Sequence, residues 1–326
     1  MKVLVIGIGS MGKRRTRLLM KAFADIEVYG VDLTEKRREE ALSLGILKAY
    51  ASVEEAVLDV RPDACFVCTS PTSHHKIINT CLDFGLHVFT ELNLINDQYE
   101  ELVKKANERN LTLFLSSTLL YRKDLEYIIS ATKNKKVNYI YHSGQYLPDW
   151  HPWENYKDFF VNDIRSNACR EIFAIDLPWI LSAMGEVAHF TVSKGKISEL
   201  EVNYNDYYFV TFEHTSGSTG SVCVDIVSRK PTRRLVVFSE DLYIVWEGTP
   251  DSLQVLNLAT KQFQQIQTYE DIQNDQRYSD NIIENAYADE ILTFFGVING
   301  TDVARYSFMN DLKTLKLIDE IEGNSY

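Results

Sequence analysis

A glycine-rich segment near the start of the chain, Gly7-Ile8-Gly9-Ser10-Met11-Gly12, limits the fold more than any other part of the sequence. It follows the apolar run Lys2–Ile6, which predicts a strand, and opens the amphipathic stretch Met11–Ala24, which predicts a helix. In this context the glycines give a tight turn, a close backbone approach to a ligand and close helix–strand packing. The N–H groups that begin the helix favour a bound pyrophosphate. We therefore predict a dinucleotide site formed by Gly7, Gly9, Ser10, Met11 and Gly12.

The choice of dinucleotide depends on the residue that ends the second predicted strand, Val28–Asp32. Asp32 lies 20 residues after Gly12. A carboxylate at this place accepts hydrogen bonds from the ribose hydroxyls and repels a 2′-phosphate, which favours NAD over NADP. A basic run at residues 36–38 keeps NADP open as the alternative, although we favour the interpretation of this run as the solvated face of a helix.

The first third of the chain alternates short apolar runs with amphipathic stretches. This alternation is typical of an α/β Rossmann fold, a doubly wound parallel sheet. After Asp32 we predict helix Glu35–Leu44, strand Ala64–Thr69, helix His74–Phe84, strand His87–Glu91, a helix from Tyr99 and strand Thr112–Ser116. Right-handed crossovers place the carboxyl ends of the strands at one edge, where ligands bind. We predict an NAD(P)-binding Rossmann domain over residues 1–121.

The pattern changes after residue 121, where long runs of strand character are joined by short turns. This predicts an α+β domain over 122–326 with a largely antiparallel open sheet and helices on one face. In Tyr207–His214 both sets of alternating side chains include apolar residues, such as Phe209 on one side and Val210 on the other. A second copy of the chain would cover the other face, so we expect a homo-oligomer formed through this sheet.

Charge and composition argue against several classes of protein. The formal net charge is −12, whereas a nucleic-acid partner calls for a basic face. The sequence has no apolar run of membrane-spanning length and does not begin with a signal-peptide pattern, so we expect a cytoplasmic protein with no membrane partner. Cys65 and Cys68 form a C-x-x-C. This pair lies in an apolar run without a second pair at zinc spacing, so we predict a buried strand and no metal site.

Several further motifs resemble the Gfo/Idh/MocA family, the glucose-fructose oxidoreductase and inositol dehydrogenase group. Residues 68–75 resemble the family's fourth-strand turn, and His87–Asn93 resembles its Glu-Lys-Pro segment. Tyr121-Arg122 matches its aromatic-basic site, and Ala174-Ile175-Asp176 lies where the family has a helical His-x-x-Asp. The resemblance covers nearly the whole chain and implies oxidation or reduction of a sugar, cyclitol or nucleotide-sugar carbon. It adds as cofactor-binding residues Thr69, Pro71, His75, Glu91 and Asn93.

Two positions depart from the family's catalytic pattern. Leu92 stands where the family has its catalytic Lys, and Phe173 stands where it has its catalytic His. Oxidation of an alcohol requires removal of the O–H proton, and a general base contributes roughly 10²–10⁴-fold to the rate. Neither side chain can accept a proton. The candidates to replace them are His151, His75, Asp176 and Glu171.

Some of these assignments have a structural alternative. Glu171 can form a surface ion pair with its neighbour Arg170, and we expect His74, beside His75, to be exposed. The basic run Ser228–Arg234 can contact an anionic substrate, but we favour a solvated hairpin turn. The candidate substrate contacts are Tyr121, Arg122, Trp150, Trp153 and Arg165.

Three functions follow. The first is an NAD-dependent oxidoreductase acting on a carbohydrate-like small molecule. The second is a catalytically retired relative that senses a dinucleotide or acts as a scaffold, because Leu92 and Phe173 replace the usual acid–base groups. The third is an enzyme that uses bound NAD for an internal redox step, so that reduced cofactor never accumulates.

Overall fold

The structure is a computed structural model, and it describes residues 1–152, 154–275, 279 and 281–323. The chain divides into two units, one comprising Met1–Thr118 and Ala286–Leu315, the other comprising Leu119–Asn285 and Lys316–Tyr326. The first division lies close to the predicted boundary after residue 121. Residues Ala286–Leu315, which lie inside the range predicted for the second domain, are part of the first unit. Within the described residues, no helix is both long and apolar enough to cross a membrane.

The first unit is built on a parallel sheet. Its strands are β1 (Lys2–Ile6), β2 (Glu27–Val31), β3 (Ala49–Tyr50), β4 (Ala64–Val67), β5 (His87–Thr90) and β6 (Leu113–Leu115). Its helices up to residue 118 are α1 (Ser10–Ala22), α2 (Glu35–Ser43), α3 (Val53–Val60), α4 (His74–Asp83) and α5 (Tyr99–Glu108). The strand order β3-β2-β1-β4-β5-β6 confirms the doubly wound Rossmann sheet.

The sequence analysis missed β3 and α3. β3 has two residues, which is too short for an alternating pattern to be seen. A signal for α3 was present, since the Ser52 hydroxyl accepts a hydrogen bond from the Glu55 backbone N–H at 3.2 Å. A serine followed three residues later by a glutamate is a helix-start signature.

The second unit contains a larger sheet and two helices of its own. In chain order its elements are α6 (Lys123–Thr132), β7 (Asn138–Gly144), α7 (Ala168–Met184), β8 (Val187–Gly195), β9 (Tyr207–His214), β10 (Thr219–Asp225), β11 (Thr232–Phe238), β12 (Tyr243–Trp246), β13 (Gln254–Asn257) and β14 (Gln262–Gln265). The strand order is β14-β13-β12-β11-β7-β10-β9-β8. Among the described strands of this second sheet, only β7 and β10 run parallel as neighbours, which confirms a largely antiparallel sheet.

The two faces of this second sheet differ. On one face Tyr208 and Val210 of β9 are buried, and the Phe173 ring of α7 packs edge-on against Tyr208 at 5.5 Å. On the other face Ile140 of β7 and Phe209 of β9 are each 56% exposed. Within the second unit, helices therefore cover one face and leave apolar side chains on the other.

Two helices, α8 (Glu284–Ile298) and α9 (Phe308–Glu322), close the described chain. From Ala286 onward α8 belongs to the first unit. The Phe294 ring packs edge-on against Phe66 at 5.3 Å and against Phe89 at 5.6 Å. This aromatic contact with β4 and β5 is the physical reason for the return, since buried aromatic side chains dominate core packing.

Candidate functional site

The glycine-rich loop has a geometry that excludes larger residues at two positions. Gly7 has φ +87°, and a Cβ there would lie 2.7 Å from Cγ2 of Thr69. A Cβ on Gly12 would lie 2.0 Å from the carbonyl oxygen of Gly7. The loop must therefore keep glycine at both places to bring β1, α1 and the Thr69 turn together.

Gly9 faces open space. The nearest atom to a Cβ built on Gly9 is Nη1 of Arg37, at 4.0 Å. α1 starts at the next residue, and its first turn contains no acidic side chain. Backbone N–H groups at a helix start, an uncrowded approach and no competing carboxylate are the conditions that a pyrophosphate needs. The residues present therefore fit a dinucleotide.

Asp32 is fixed beside this loop. Its Oδ2 accepts a hydrogen bond from the Ile8 N–H at 2.8 Å, and its Oδ1 accepts one from the Thr34 N–H at 2.8 Å. Arg38 donates to the Asp32 carbonyl oxygen at 2.8 Å, and the Arg37 guanidinium lies 3.8 Å from Oδ2. The carboxylate predicted to bind ribose is thus held rigidly, and both arginines lie on its side of α2.

The strand ends β4 and β5 are tied together by His74. One ring nitrogen, Nδ1, is hydrogen bonded to Asn93 Oδ1 at 2.5 Å, and Nε2 is hydrogen bonded to the Thr69 carbonyl at 2.9 Å. The expectation that His74 is exposed is wrong, because it is 2% exposed. Burial lowers the pKa of His74. His74 and the buried Asn93 therefore position the Thr69 turn, while His75 beside them is half-buried.

Glu91, which follows β5, is held by a buried arginine that the sequence analysis did not identify. Arg15 of α1 donates to both Glu91 oxygens, at 2.6 and 3.2 Å, and Nη2 lies 2.7 Å from Oε2 of Glu290 on α8. Glu290 also accepts from the Ser117 N–H at 2.7 Å. Burial raises the pKa of Glu290, and Arg15 partly offsets that shift. The network fixes the orientation of Glu91 at the carboxyl edge of the sheet.

In the second unit Glu171 lies in the first turns of α7. The Asn167 side chain caps this helix by accepting from the Arg170 N–H at 2.9 Å. The Arg170 guanidinium pairs with Asp319 at 2.7 Å and with Glu322 at 2.6 Å. The alternative of a surface ion pair between Arg170 and Glu171 is therefore wrong.

Glu171 has the properties of an acid–base group. Its Oε2 is shielded from solvent and has no hydrogen-bond partner among the described residues. Burial raises the pKa of Glu171 to about 8. A carboxyl group whose pKa lies near the working pH can both accept and return a proton, as general acid–base catalysis requires.

Asp176, one and a half turns further along α7, is already paired. Its Oδ1 lies 3.2 Å from Nη2 of Arg233 on β11, and the Asp176 residue is 1% exposed. The interpretation of the run Ser228–Arg234 as a solvated turn is wrong for Arg233, whose guanidinium is buried against this carboxylate. Because Asp176 is committed to Arg233, we do not retain it as the general base.

Two of the predicted substrate contacts are in the core of the second unit. Tyr121 and Arg122 are each 1% exposed. Arg122 donates to both carboxylate oxygens of Asp124 and to the Gly248 and Asn281 carbonyls. Its donors are used internally, so we do not retain Arg122 as a substrate contact.

The loop after β7 holds the remaining candidates. Trp150 is half-buried and donates from Nε1 to the Gln145 carbonyl at 3.0 Å. His151 is half-buried with its ring 4.9 Å from that of Phe159, and Arg165 is exposed. Trp153 lies outside the described residues. The roles of these side chains in binding or proton transfer remain predictions.

Comparisons with known proteins agree with this geometry. Residues 1–117 match the sequence model of the GFO_IDH_MocA oxidoreductase family, NAD-binding Rossmann fold. Myo-inositol 2-dehydrogenase of Thermotoga maritima is 28% identical over 141 residues. The match spans 42% of this chain and 42% of that enzyme, so it extends over less than half the length of this curated relative.

Solved structures resemble the whole chain in fold. UDP-N-acetylglucosamine 3-dehydrogenase from Acidithiobacillus ferrooxidans has a TM-score of 0.77 at 16% identity, covering 99% of this chain and 97% of that chain. Levoglucosan dehydrogenase in complex with NADH and levoglucosan has a TM-score of 0.78 at 14% identity, covering 99% and 96%. Residues 1–117, which include the glycine loop and Asp32, therefore resemble the NAD-binding Rossmann part of the Gfo/Idh/MocA oxidoreductases.

Proposed function

We propose that the protein is an NAD-dependent oxidoreductase that acts on a CH–OH group of a sugar, cyclitol or nucleotide sugar. The observation that carries this proposal is the open space over Gly9 beside the fixed carboxylate of Asp32. The three relatives described above are, by name, dehydrogenases of an inositol, a nucleotide sugar and an anhydrosugar. Their substrates support a polyhydroxylated substrate here. When bound, the nicotinamide would supply the hydride acceptor.

The residues of this chain divide the remaining work. The Gly7–Gly12 loop binds the pyrophosphate, and Asp32 accepts hydrogen bonds from the ribose. Glu91, held by Arg15, orients the nicotinamide edge. We assign the alcohol proton to Glu171, because its carboxylate has a raised pKa and a shielded oxygen atom without a partner. His151 and His75 remain alternatives for the proton.

The direct test is turnover. The purified full chain is mixed with NAD and a panel of sugars, cyclitols and nucleotide sugars, and the absorbance of reduced cofactor is followed. We expect a substrate-dependent increase with at least one compound, and weaker activity with NADP because Asp32 repels a 2′-phosphate. Silence across a broad panel, with NAD binding demonstrated separately, would contradict the oxidoreductase proposal.

The variant Gly9→Ala tests the position of the cofactor. A Cβ at Gly9 meets no protein atom closer than 4.0 Å, so the melting temperature of the ligand-free variant should equal that of the parent. The same methyl group occupies the space that the pyrophosphate needs, so NAD affinity should fall by about tenfold or more, or about 1.4 kcal/mol. Unchanged NAD affinity, measured by calorimetry, would show that the pyrophosphate does not bind at this loop.

A second function is favoured by Leu92 and Phe173. The Phe173 ring, which is buried and packs on Tyr208, has no ionisable group and therefore no acid–base role. A catalytically retired relative that senses NAD would bind it without turnover and without a transient absorbance change. An enzyme with an internal redox step would give a transient absorbance change in a single turnover without net reduced cofactor. Stopped-flow absorbance therefore separates both from the main proposal.

We also propose that a second copy of the chain covers the open face of the second sheet. The support is the pair of exposed apolar side chains, Ile140 and Phe209, on adjacent parts of that face. Phe209→Asp should convert an oligomer to a smaller species in light scattering after size exclusion. Leu58→Asp, which replaces a 75% exposed leucine of α3 in the first unit, should leave the mass unchanged. A parent chain that is already monomeric would refute the proposal.

A further inference from the structure

Three potential metal ligands meet on the open face of the second sheet, and none of them is assigned to cofactor or proton transfer. β7 and β10 are parallel neighbours, and their register places Cys223 directly beside His142. Asp225, two residues after Cys223, projects from the same face of β10 because side chains alternate along a strand. One ligand atom from each of His142, Cys223 and Asp225 lies within 4.8 Å of the others.

The carboxylate of Asp225 is built into this position. Its Oδ1 accepts hydrogen bonds from the Val227 N–H at 2.9 Å and the Ser228 N–H at 2.7 Å. Its Oδ2 accepts from the Ser228 hydroxyl at 2.9 Å and lies 2.7 Å from Nε2 of His142. Hydrogen bonds to a ligating carboxylate orient it and tune its affinity for a metal.

The strand opposite Asp225 provides the space for this arrangement. Gly144 is the register partner of Asp225, and a Cβ on Gly144 would lie 2.3 Å from Oδ2. A glycine is therefore needed at this position for the carboxylate to lie over β7 and reach His142 on the same strand. The His142 side chain is 36% exposed in the single chain.

We propose that His142, Cys223 and Asp225 form a binding site for a divalent transition metal of the Zn²⁺ class. Zn²⁺ binds thiolate, imidazole and carboxylate ligands, and three protein ligands with a fourth position left for water or another ligand are typical of an open, tetrahedral site. Binding displaces the thiol proton of Cys223 and any proton on the ligating nitrogen of His142. The metal then takes the place of the hydrogen bond that now joins His142 to Asp225.

The spacing of these residues in the sequence does not indicate a metal site. His142 and Asp225 are 83 residues apart, and the expectation of no metal site rested on the absence of closely spaced pairs. Sheet pairing brings the ligands together, and no short motif records it.

The test is titration of the full chain, with any affinity tag removed, by Co²⁺ and then Zn²⁺. Thiolate ligation of Co²⁺ should give a sulfur-to-metal absorption band with a stoichiometry of one, which Zn²⁺ then abolishes. Cys223→Ser should remove the band. Loss of a partner that merely orients a ligand costs about 10–100-fold in affinity, so His142→Gln and Asp225→Asn should weaken Zn²⁺ binding at least that much.

The control is Cys68→Ser, which removes another partly accessible thiol from the other unit. It should leave the Co²⁺ spectrum unchanged. The proposal is overturned if the parent shows no thiolate band, or if the band persists in Cys223→Ser. Circular dichroism of each variant shows whether it folds, and Asp225→Asn retains an oxygen that can accept the backbone bonds from residues 227 and 228.

Discussion

Replacing Glu171 by glutamine should lower kcat by about 10²–10⁴-fold, the contribution of a general base, while NAD affinity stays unchanged. Glutamine has nearly the same shape but cannot accept the alcohol proton. The measurement is steady-state kinetics with the substrate found in the panel, together with calorimetric titration of NAD. Glu154→Gln, at an exposed position in the loop before α7, is the matched control and should retain parental kcat.

The pH profile supplies a second signature of Glu171. Burial raises its pKa to about 8, and a general base acts in its deprotonated form. In the oxidation direction kcat/KM should therefore rise as the pH increases through about 8 and then level off. The glutamine variant should lose this inflection. An unchanged inflection in the glutamine variant would show that another group, such as His151, accepts the proton.

Stability separates a catalytic from a structural role for Glu171. A carboxyl whose folded-state pKa lies above its unfolded value gives stability that is fully present below the unfolded pKa and is lost as the pH rises through the folded pKa. The charged form is thus the destabilising one. Glu171→Gln should melt at a higher temperature than the parent at pH 9, even though it is less active. A lower melting temperature would point to a structural role.

The features that predict a cofactor site are local in the sequence. Gly7, Gly9 and Gly12 act through the backbone of one turn, and Asp32 ends the neighbouring strand. Strand alternation then fixes which sheet edge they share. Such features need only short-range patterns, and the structure places Asp32 within hydrogen-bond distance of Ile8 in the loop.

The features that the sequence did not predict depend on contacts between residues far apart in the chain. Arg15 and Glu290 are separated by 275 residues, and the return of α8 to the first unit left no local signal. His74 looked like the solvated neighbour of His75, but it is buried by bonds to Asn93 and Thr69. Whether a charged residue on a helix is solvated or paired depends on tertiary contacts, as Arg233 also shows.

Replacing Arg15 by methionine should lower the free energy of unfolding by about 3–5 kcal/mol, the cost of breaking a buried ion pair by removal of one partner. Arg15 is fully buried, and its loss leaves the Glu91 and Glu290 carboxylates beside each other without a cation. Chemical denaturation monitored by circular dichroism measures the change. Lys13→Met, which breaks the exposed ion pair with Glu40, is the control and should leave the free energy of unfolding nearly unchanged.

The pH dependence of the Arg15→Met defect identifies its electrostatic origin. Burial already raises the pKa of Glu290, and Arg15 opposes that shift, so removing Arg15 should raise this pKa further. A carboxyl with a raised folded-state pKa loses stability as the pH increases. The defect should therefore be smaller at pH 5 than at pH 8, and adding Glu290→Gln to the Arg15→Met variant should recover part of it. A defect that is independent of pH and unaffected by Glu290→Gln would instead show that the side chain of Arg15 acts mainly by filling space against Phe89.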